Sequence, residues 1–290
     1  MIDFRYGFIG LGQMGSPMAA NIASRGFNLS VFDKSRGAYQ SIENVFLANS
    51  LKQLAANTDI IFLSLPDATA SLEVAQELSE TTELNASIII DLSTIGIDAS
   101  RKASNTLHEA GVTYIDAPVS GGQSGARKGT ITIMWAGPLT ILEDCRKVMM
   151  SFCKNLFHVG EEAGQGQALK ILNNFLSATA MAATSEAIAF GITQGLNMKT
   201  ILDVVNLSTG QNTATNDKFP NRILTNTYDA GFKTNLLTKD MQLFIESARL
   251  SETPIVIAEA VMDLWKECNI ALPNSDFTHI YKFITANNKE

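Results

Sequence analysis

The sequence predicts an α/β protein in two parts: a doubly wound parallel sheet with helices on both faces, then an all-α C-terminal domain joined to it by a long helix. Three observations predict this. From Tyr6 to about Gly160, short runs rich in β-branched and aromatic residues alternate with helix-like segments. After Gly164 the strand signals stop and helical periodicity continues alone. The chain has 290 residues, more than one hydrophobic core usually organises. The domains are therefore set at 1–163 and 164–290.

The strand candidates are Tyr6 to Ile9, Leu29 to Phe32, Ile60 to Leu65, Ser87 to Asp91, Thr113 to Ile115, Thr130 to Trp135 and Leu156 to Val159. Their composition suits a pleated surface buried on both sides. Helical spacing of apolar residues marks Gln13 to Ser24 and Ala99 to Glu109 between them. The long joining helix runs from about Gln165 to Gln194 and is dense in alanine, at Ala178, Ala180, Ala182, Ala183, Ala187 and Ala189. Small side chains let neighbouring helices approach closely. The covering helices are Thr200 to Leu207, Leu236 to Leu250, Ile255 to Glu267 and Phe277 to Ala286.

Composition excludes several classes of function. Hydrophobic residues make up 46% and charged residues 18%, a globular balance with ample core. A formal charge of −7 excludes a sequence-independent grip on nucleic acid, which needs Lys and Arg against phosphate. Cys145, Cys153 and Cys268 form no disulfide framework, and His108, His158 and His279 have no ligand-like spacing, so no metal is expected. Phe175 to Thr193 is the most apolar stretch, but Glu186 and several hydroxyls make it a buried helix and not a membrane span. The N-terminus lacks a secretion signal pattern, and a cytoplasmic enzyme is the expectation.

The string Gly10-Leu11-Gly12-Gln13-Met14-Gly15 is a GxGxxG placed between the first strand and the first helix, the context that makes it a dinucleotide-binding turn of the Rossmann type. Gly10 permits the tight turn, Gly12 lets a pyrophosphate approach the backbone, and Gly15 lets helix and strand pack closely. The second strand ends at Asp33, where such folds place the acid that accepts the adenosine ribose hydroxyls. That carboxylate favours NAD, and the neighbouring Lys34 and Arg36 leave NADP possible.

Ligands of an open parallel sheet lie beyond the carboxyl ends of its strands. Leu65 and Pro66, after the third run, and Ser93 and Thr94, after the fourth, are candidates there, with Leu65 and Pro66 assigned to the cofactor. After the fifth run, Asp116 to Gly129 holds four glycines in fourteen residues; Ser120, Gly121 and Gly122 offer a hydroxyl and N–H groups to a carboxylate. On the long helix Lys170 and Asn174 are four residues apart and share a face. Spacing alone has Lys170 snorkelling to solvent along its apolar stem. Buried instead, it would have a lowered pKa and serve as a general base.

With the GFIGLGQMG turn at Gly7–Gly15, the Asp116 to Gly129 loop, the Gly166-xxx-Lys170-xxx-Asn174 helix start and the late Lys239-Asp240 pair, the sequence resembles the β-hydroxyacid dehydrogenases of the 3-hydroxyisobutyrate dehydrogenase type over nearly its whole length. The resemblance implies that Lys170 is catalytic, that Ser120, Gly121, Gly122 and Asn174 hold the substrate, and that Thr94 and Lys239 contact the cofactor. It also implies a homodimer or homotetramer associating through the helical domain. Lys239-Asp240 would otherwise read as an ordinary exposed charged pair.

The expected reaction moves hydride between NAD(P) and a small β-hydroxyacid or its semialdehyde, with Lys170 exchanging the hydroxyl proton. The substrate is 3-hydroxyisobutyrate-like, with tartronate semialdehyde and succinic semialdehyde as alternatives. Lys170 counts against an imine reductase, and Lys170 with Asn174 counts against a non-catalytic dinucleotide-binding module. The polar segment Ser208 to Phe219 reads equally as a flap over the substrate or a surface loop.

Overall fold

The structure, a computed structural model, describes residues 4–35 and 42–287; Arg36 lies outside the described residues. The chain forms two compact units, Met1–Lys170 and Ile171–Glu290.

The first unit contains β1 (Tyr6–Ile9), α1 (Gly15–Ser24), β2 (Leu29–Phe32), β3 (Phe46–Leu47), α2 (Leu51–Ala56), β4 (Ile60–Leu63), α3 (Ala68–Ser79), β5 (Ile88–Asp91), α4 (Ile97–Glu109), β6 (Thr113–Asp116), β7 (Val119–Ser120), α5 (Gly122–Lys128), β8 (Ile131–Ala136), α6 (Leu139–Met149) and β9 (Cys153–Gly160). Among the described residues the strands form one sheet in the order β3-β2-β1-β4-β5-β6-β8-β7, with β9 on β8. The first six are in the order of a dinucleotide-binding fold, whose ligand crevice opens where the order reverses beside β1.

Helices on both faces explain why the strands read as continuous apolar runs: Ile60, Ile61, Phe62 and Leu63 are all fully buried. Phe62 sits among Tyr6, Phe8 and Phe152 with ring centroids 5.8–6.2 Å apart. Burying one such ring contributes roughly 1.5–3 kcal/mol, and this cluster is a rigid floor under the chain that follows β1.

The sheet is parallel except at one side. β8 runs antiparallel to β6 and β7, with Val119 opposite Ile133 and Ser120 opposite Thr132. β3 and β7 have two residues each, too short for a period to register in the sequence.

The helix α7 (Gln165–Thr193) begins in the first unit and continues into the second. The expected boundary at 163/164 is where α7 is about to start. Packing divides the chain later because the first turns of α7 are bonded into the first unit, as detailed below.

The second unit continues with α8 (Met198–Val205), a π-helix at Ala214–Ile223, α9 (Thr234–Leu250), α10 (Val256–Ala271), a short 3-10 turn at Phe277–His279, and α11 (Ile280–Asn287). Its core gathers Ala178, Met181, Ala182 and Ile188 of α7 around Trp265, Phe219 and Met241. Among the described residues α7 alone is long and apolar enough to cross a membrane, and those core residues are its inward side. The π-helix, with Pro220 inside it, takes up the second half of the polar segment Ser208 to Phe219. Wide helical turns of this kind escape 3.6-residue periodicity.

Candidate active site

The glycine turn is set by sheet register. Ile9 pairs with Phe32 across β1 and β2, so Gly10 N–H bonds to Phe32 O at 3.0 Å and Leu11 N–H donates to Asp33 Oδ2 at 2.6 Å. Gly10 has φ +92°, and a Cβ on it would lie 2.3 Å from Ser64 O. A Cβ on Gly15 would lie 1.9 Å from Gly10 O, so only glycine lets α1 start this close to the strand. At Gly12 a Cβ meets no atom within 4 Å among the described residues. Two glycines are thus demanded by the protein's own packing, while the third faces open space.

Gln13 is exposed and Met14 half-buried; Met14, at the N-cap of α1, makes no side-chain cap bond, and the first turn carries no acid. Backbone N–H groups at the positive end of α1, whose first turn holds no acid, fit a pyrophosphate. Asp33 Oδ1 also accepts from Ser35 N–H at 2.7 Å, which fixes the carboxylate at the tip of β2. Lys34 pairs with Glu73 at 3.1 Å, an exposed ion pair. The residues present fit a nicotinamide dinucleotide.

Leu65 and Thr94 are half-buried and Pro66 is exposed. The strand ends carrying them are tied together: Leu65 N–H donates to Ser93 Oγ at 2.8 Å, and Ser93 N–H donates to Asp91 Oδ1 at 2.9 Å. Tyr114 Oη donates to Asp91 Oδ2 at 3.2 Å.

Ser120 lies on β7, and Gly121 and Gly122 have φ +131° and +61°, conformations that favour glycine. A Cβ on Gly121 would also crowd Ile131 at 3.2 Å. The glycines of this loop therefore have a folding reason beside any role in binding.

The start of α7 rests on the same segment. A Cβ on Gly166 would lie 2.7 Å from Met134 O and 2.9 Å from Asp116 O, so the bare glycine lets the first turn seat against that backbone. Lys170 follows and is only 8% exposed, which overturns the snorkelling expected from spacing. Asn174, one turn further along α7, is buried and donates through Nδ2 to Asp240 Oδ2 at 2.7 Å. Lys239 Nζ lies 3.2 Å from Asp240 Oδ1, and Asp240 is 3% exposed, so this is no ordinary surface pair.

The residues that sequence reasoning passed over are Gln167 and the buried acids Asp91 and Asp116. Asp116 Oδ2 accepts from Gly164 N–H at 2.9 Å and Gln167 N–H at 3.0 Å, and Oδ1 accepts from Gln167 Nε2 at 2.7 Å. Burial pushes its pKa from 3.8 to about 6, against the pull of those hydrogen bonds and with help from the Asp91 charge. Burial likewise raises Asp91, and burial between these two acids raises Tyr114.

Between pH 4 and 6 the folded chain holds a proton on Asp116 that the unfolded chain has released. Stability from this group is complete below its unfolded pKa and is lost as pH rises to about 6, a change of about 3 kcal/mol. Urea unfolding of the wild type and Asp116→Asn from pH 4 to 7 should show their difference moving in the variant's favour by up to that amount. A difference that stays flat with pH would mean Asp116 titrates as an exposed aspartate does.

Asn212, in the segment that reads equally as a flap or a surface loop, braces the start of the π-helix: its Oδ1 accepts from Ala214 N–H at 2.8 Å and Thr215 N–H at 3.2 Å. Its Nδ2 donates to Thr184 Oγ1 at 3.1 Å, a residue about 15 Å along α7 from Asn174 by helical rise. Asn212→Ala should lower stability by about 1 kcal/mol and scale kcat/KM equally for all substrates. A changed substrate ranking would favour the flap over the surface loop.

Residues 5–160 match the family described as the NAD binding domain of 6-phosphogluconate dehydrogenase, and residues 164–284 match the NAD-binding family of NADP-dependent 3-hydroxyisobutyrate dehydrogenase. The chain belongs to the β-hydroxyacid dehydrogenase family. It is an NAD(P)-dependent dehydrogenase acting on a CH–OH group. Among relatives, it is 32% identical over 288 residues to 3-hydroxyisobutyrate dehydrogenase of Pseudomonas aeruginosa, covering 95% of this chain and 96% of that one. It is 32% identical over 257 residues to 2-(hydroxymethyl)glutarate dehydrogenase of Eubacterium barkeri, covering 87% and 85%. The solved structure of Mycobacterium tuberculosis 3-hydroxyisobutyrate dehydrogenase with L-serine superposes with a TM-score of 0.89 at 26% identity, covering 98% of this chain and 99% of that one.

Proposed function

We propose that this β-hydroxyacid dehydrogenase interconverts a 3-hydroxy acid of the form HOCH2–CH(R)–COO⁻ and its semialdehyde, with NAD as cofactor. The observation that carries the reading is the buried Lys170, one helical turn before the buried Asn174. A lysine amine set beside a substrate hydroxyl can exchange its proton as a general acid–base. The compounds named with the relatives support the substrate form. 3-Hydroxyisobutyrate, L-serine and 2-(hydroxymethyl)glutarate share the HOCH2–CH–COO⁻ unit and differ only in R. Glycerate, the reduced form of tartronate semialdehyde, has it too, whereas the reduced form of succinic semialdehyde has its alcohol one carbon further away.

Gly10 to Gly15, Asp33, Leu65, Pro66, Thr94 and Lys239 are the residues assigned to the cofactor, which when bound accepts or returns hydride. Asp33 favours NAD, because a carboxylate accepts from ribose hydroxyls and repels a 2′-phosphate. Ser120 and the N–H groups of Gly121 and Gly122 anchor the substrate carboxylate, with Asn174 as a further donor held in orientation by Asp240. In oxidation neutral Lys170 takes the hydroxyl proton at Nζ; in reduction its ammonium returns one to the forming alkoxide.

The helical unit carries self-association, as a homodimer or homotetramer. Leu172, Leu176 and Phe190 stand exposed along α7, an apolar stripe that a second copy would cover. A cytoplasmic location completes the reading.

A panel with NAD and with NADP tests it, using 3-hydroxyisobutyrate, L-serine, glycerate, 2-(hydroxymethyl)glutarate and 4-hydroxybutyrate. At least one acid of the proposed form should exceed 4-hydroxybutyrate in kcat/KM by about tenfold or more, the scale on which a misplaced reacting carbon is felt. Preference for 4-hydroxybutyrate would sink the substrate assignment, and preference for NADP would sink the reading of Asp33.

A further inference from the structure

Gln167 is fully buried, and its amide is used at both ends. Its Oε1 accepts from Ile95 N–H at 2.9 Å and Gly96 N–H at 3.1 Å. Its Nε2 donates to Ser93 O at 3.0 Å and to Asp116 Oδ1 at 2.7 Å. The segment Ser93 to Gly96, which includes Thr94, is thus held at three backbone points by one side chain. Asp116 in turn grips the first turn of α7 through the Gly164 and Gln167 N–H groups. The bare Cα of Gly166 sets the turn close enough for these bonds.

We propose that Gln167 is a positioning residue for the reaction: held by the Asp116 carboxylate, it fastens the Thr94 segment to the first turn of α7, three residues before Lys170. The inference rests on the assignment of Lys170 as the proton-transferring group, which Lys170→Ala tests on its own. A residue that only satisfied buried N–H groups would affect stability. A latch between two reacting elements controls alignment as well, where a displacement near 1 Å costs about 10²-fold in rate.

The bond pattern permits a reciprocal test. In Asp116→Asn, an amide keeping its oxygen on the two backbone N–H groups turns its NH2 toward the Gln167 NH2. In Gln167→Glu, a carboxylate oxygen faces Asp116 Oδ1 and Ser93 O. In the double variant the new amide at position 116 donates to the new carboxylate at position 167, and the link is remade with its polarity reversed.

The assay uses NAD with whichever acid of the panel turns over fastest. Each single variant should lose at least about tenfold in kcat with KM within about threefold, and the double variant should recover most of the loss relative to Gln167→Glu. In the ligand-free protein, hydrogen exchange at Ile95 and Gly96 should accelerate in Gln167→Glu and slow again in the double variant. Should Gln167→Glu fail to fold, Gln167→Met is judged by the same kcat, KM and exchange criteria, since it keeps the volume without adding charge. The proposal is overturned if kcat falls less than tenfold, if KM rises in step with the fall, or if the two substitutions combine additively. Unchanged exchange at Ile95 and Gly96 overturns it independently of any activity, and so separately from the role of Lys170.

Discussion

Replacing Lys170 by alanine is expected to lower kcat by about 10²–10⁴-fold, the usual contribution of a positioned general acid–base, while NADH affinity changes little. The lysine is 8% exposed and stands on α7 one turn before the buried Asn174. Lys170→Arg should be equally impaired in oxidation although it keeps length and charge, because a guanidinium does not deprotonate in proteins. A small exogenous amine added to Lys170→Ala should restore part of the rate, with a dependence on its own pKa. Structural damage would not respond to an added base. The variant retaining more than a tenth of wild-type kcat would remove Lys170 from the chemistry, whatever its burial.

The parts of the site that were legible in the sequence are those whose requirements are local. Gly10 and Gly15 are needed because of atoms of the same strand-turn-helix unit and of Ser64 beside it, so one short motif announces them. The strands were legible because both faces of the sheet are covered, which writes β4 and the first three residues of β5 as apolar runs. The side of the sheet beyond β6 was not, since β7 has two residues and pairs antiparallel with β8 only after the chain has passed through α5. Lys170 stood out through family resemblance only. A lysine in an apolar helical stripe has two fates, and the enclosure that chooses between them is tertiary. Gln167 was invisible for a stronger version of the same reason: the groups that define it lie 51 residues away at Asp116 and 72 away at Ile95. Asp240 shows the intermediate case, recognisable as half of a motif but buried by packing that its own helix does not reveal.

The glycine turn yields a second large effect, and one that separates binding from folding within six residues. Gly12→Val should leave the ligand-free protein folded with an unchanged Tm, because the added side chain starts from open space and the backbone there is not in the left-handed region. The same side chain would occupy the approach reserved for the pyrophosphate, so NADH affinity should fall by about 10²-fold or more, equivalent to about 2.7 kcal/mol. Gly15→Ala, a smaller change, should do the opposite damage first. Its Cβ would meet the Gly10 carbonyl oxygen at 1.9 Å and Phe8 Cε1 at 3.1 Å, and neither the strand nor the aromatic floor can yield cheaply. Overpacking of this kind costs about 1–3 kcal/mol and sometimes more, so the ligand-free Tm should drop before any cofactor is added. Calorimetry with and without NADH distinguishes the two. Cofactor stabilisation should vanish in Gly12→Val against an unchanged baseline, and persist in part in Gly15→Ala above a lowered one. If Gly12→Val binds NADH normally, the open space beside that glycine is not where the dinucleotide lies. The resemblance of the motif to a phosphate-binding turn would then reflect only the packing demands of Gly10 and Gly15.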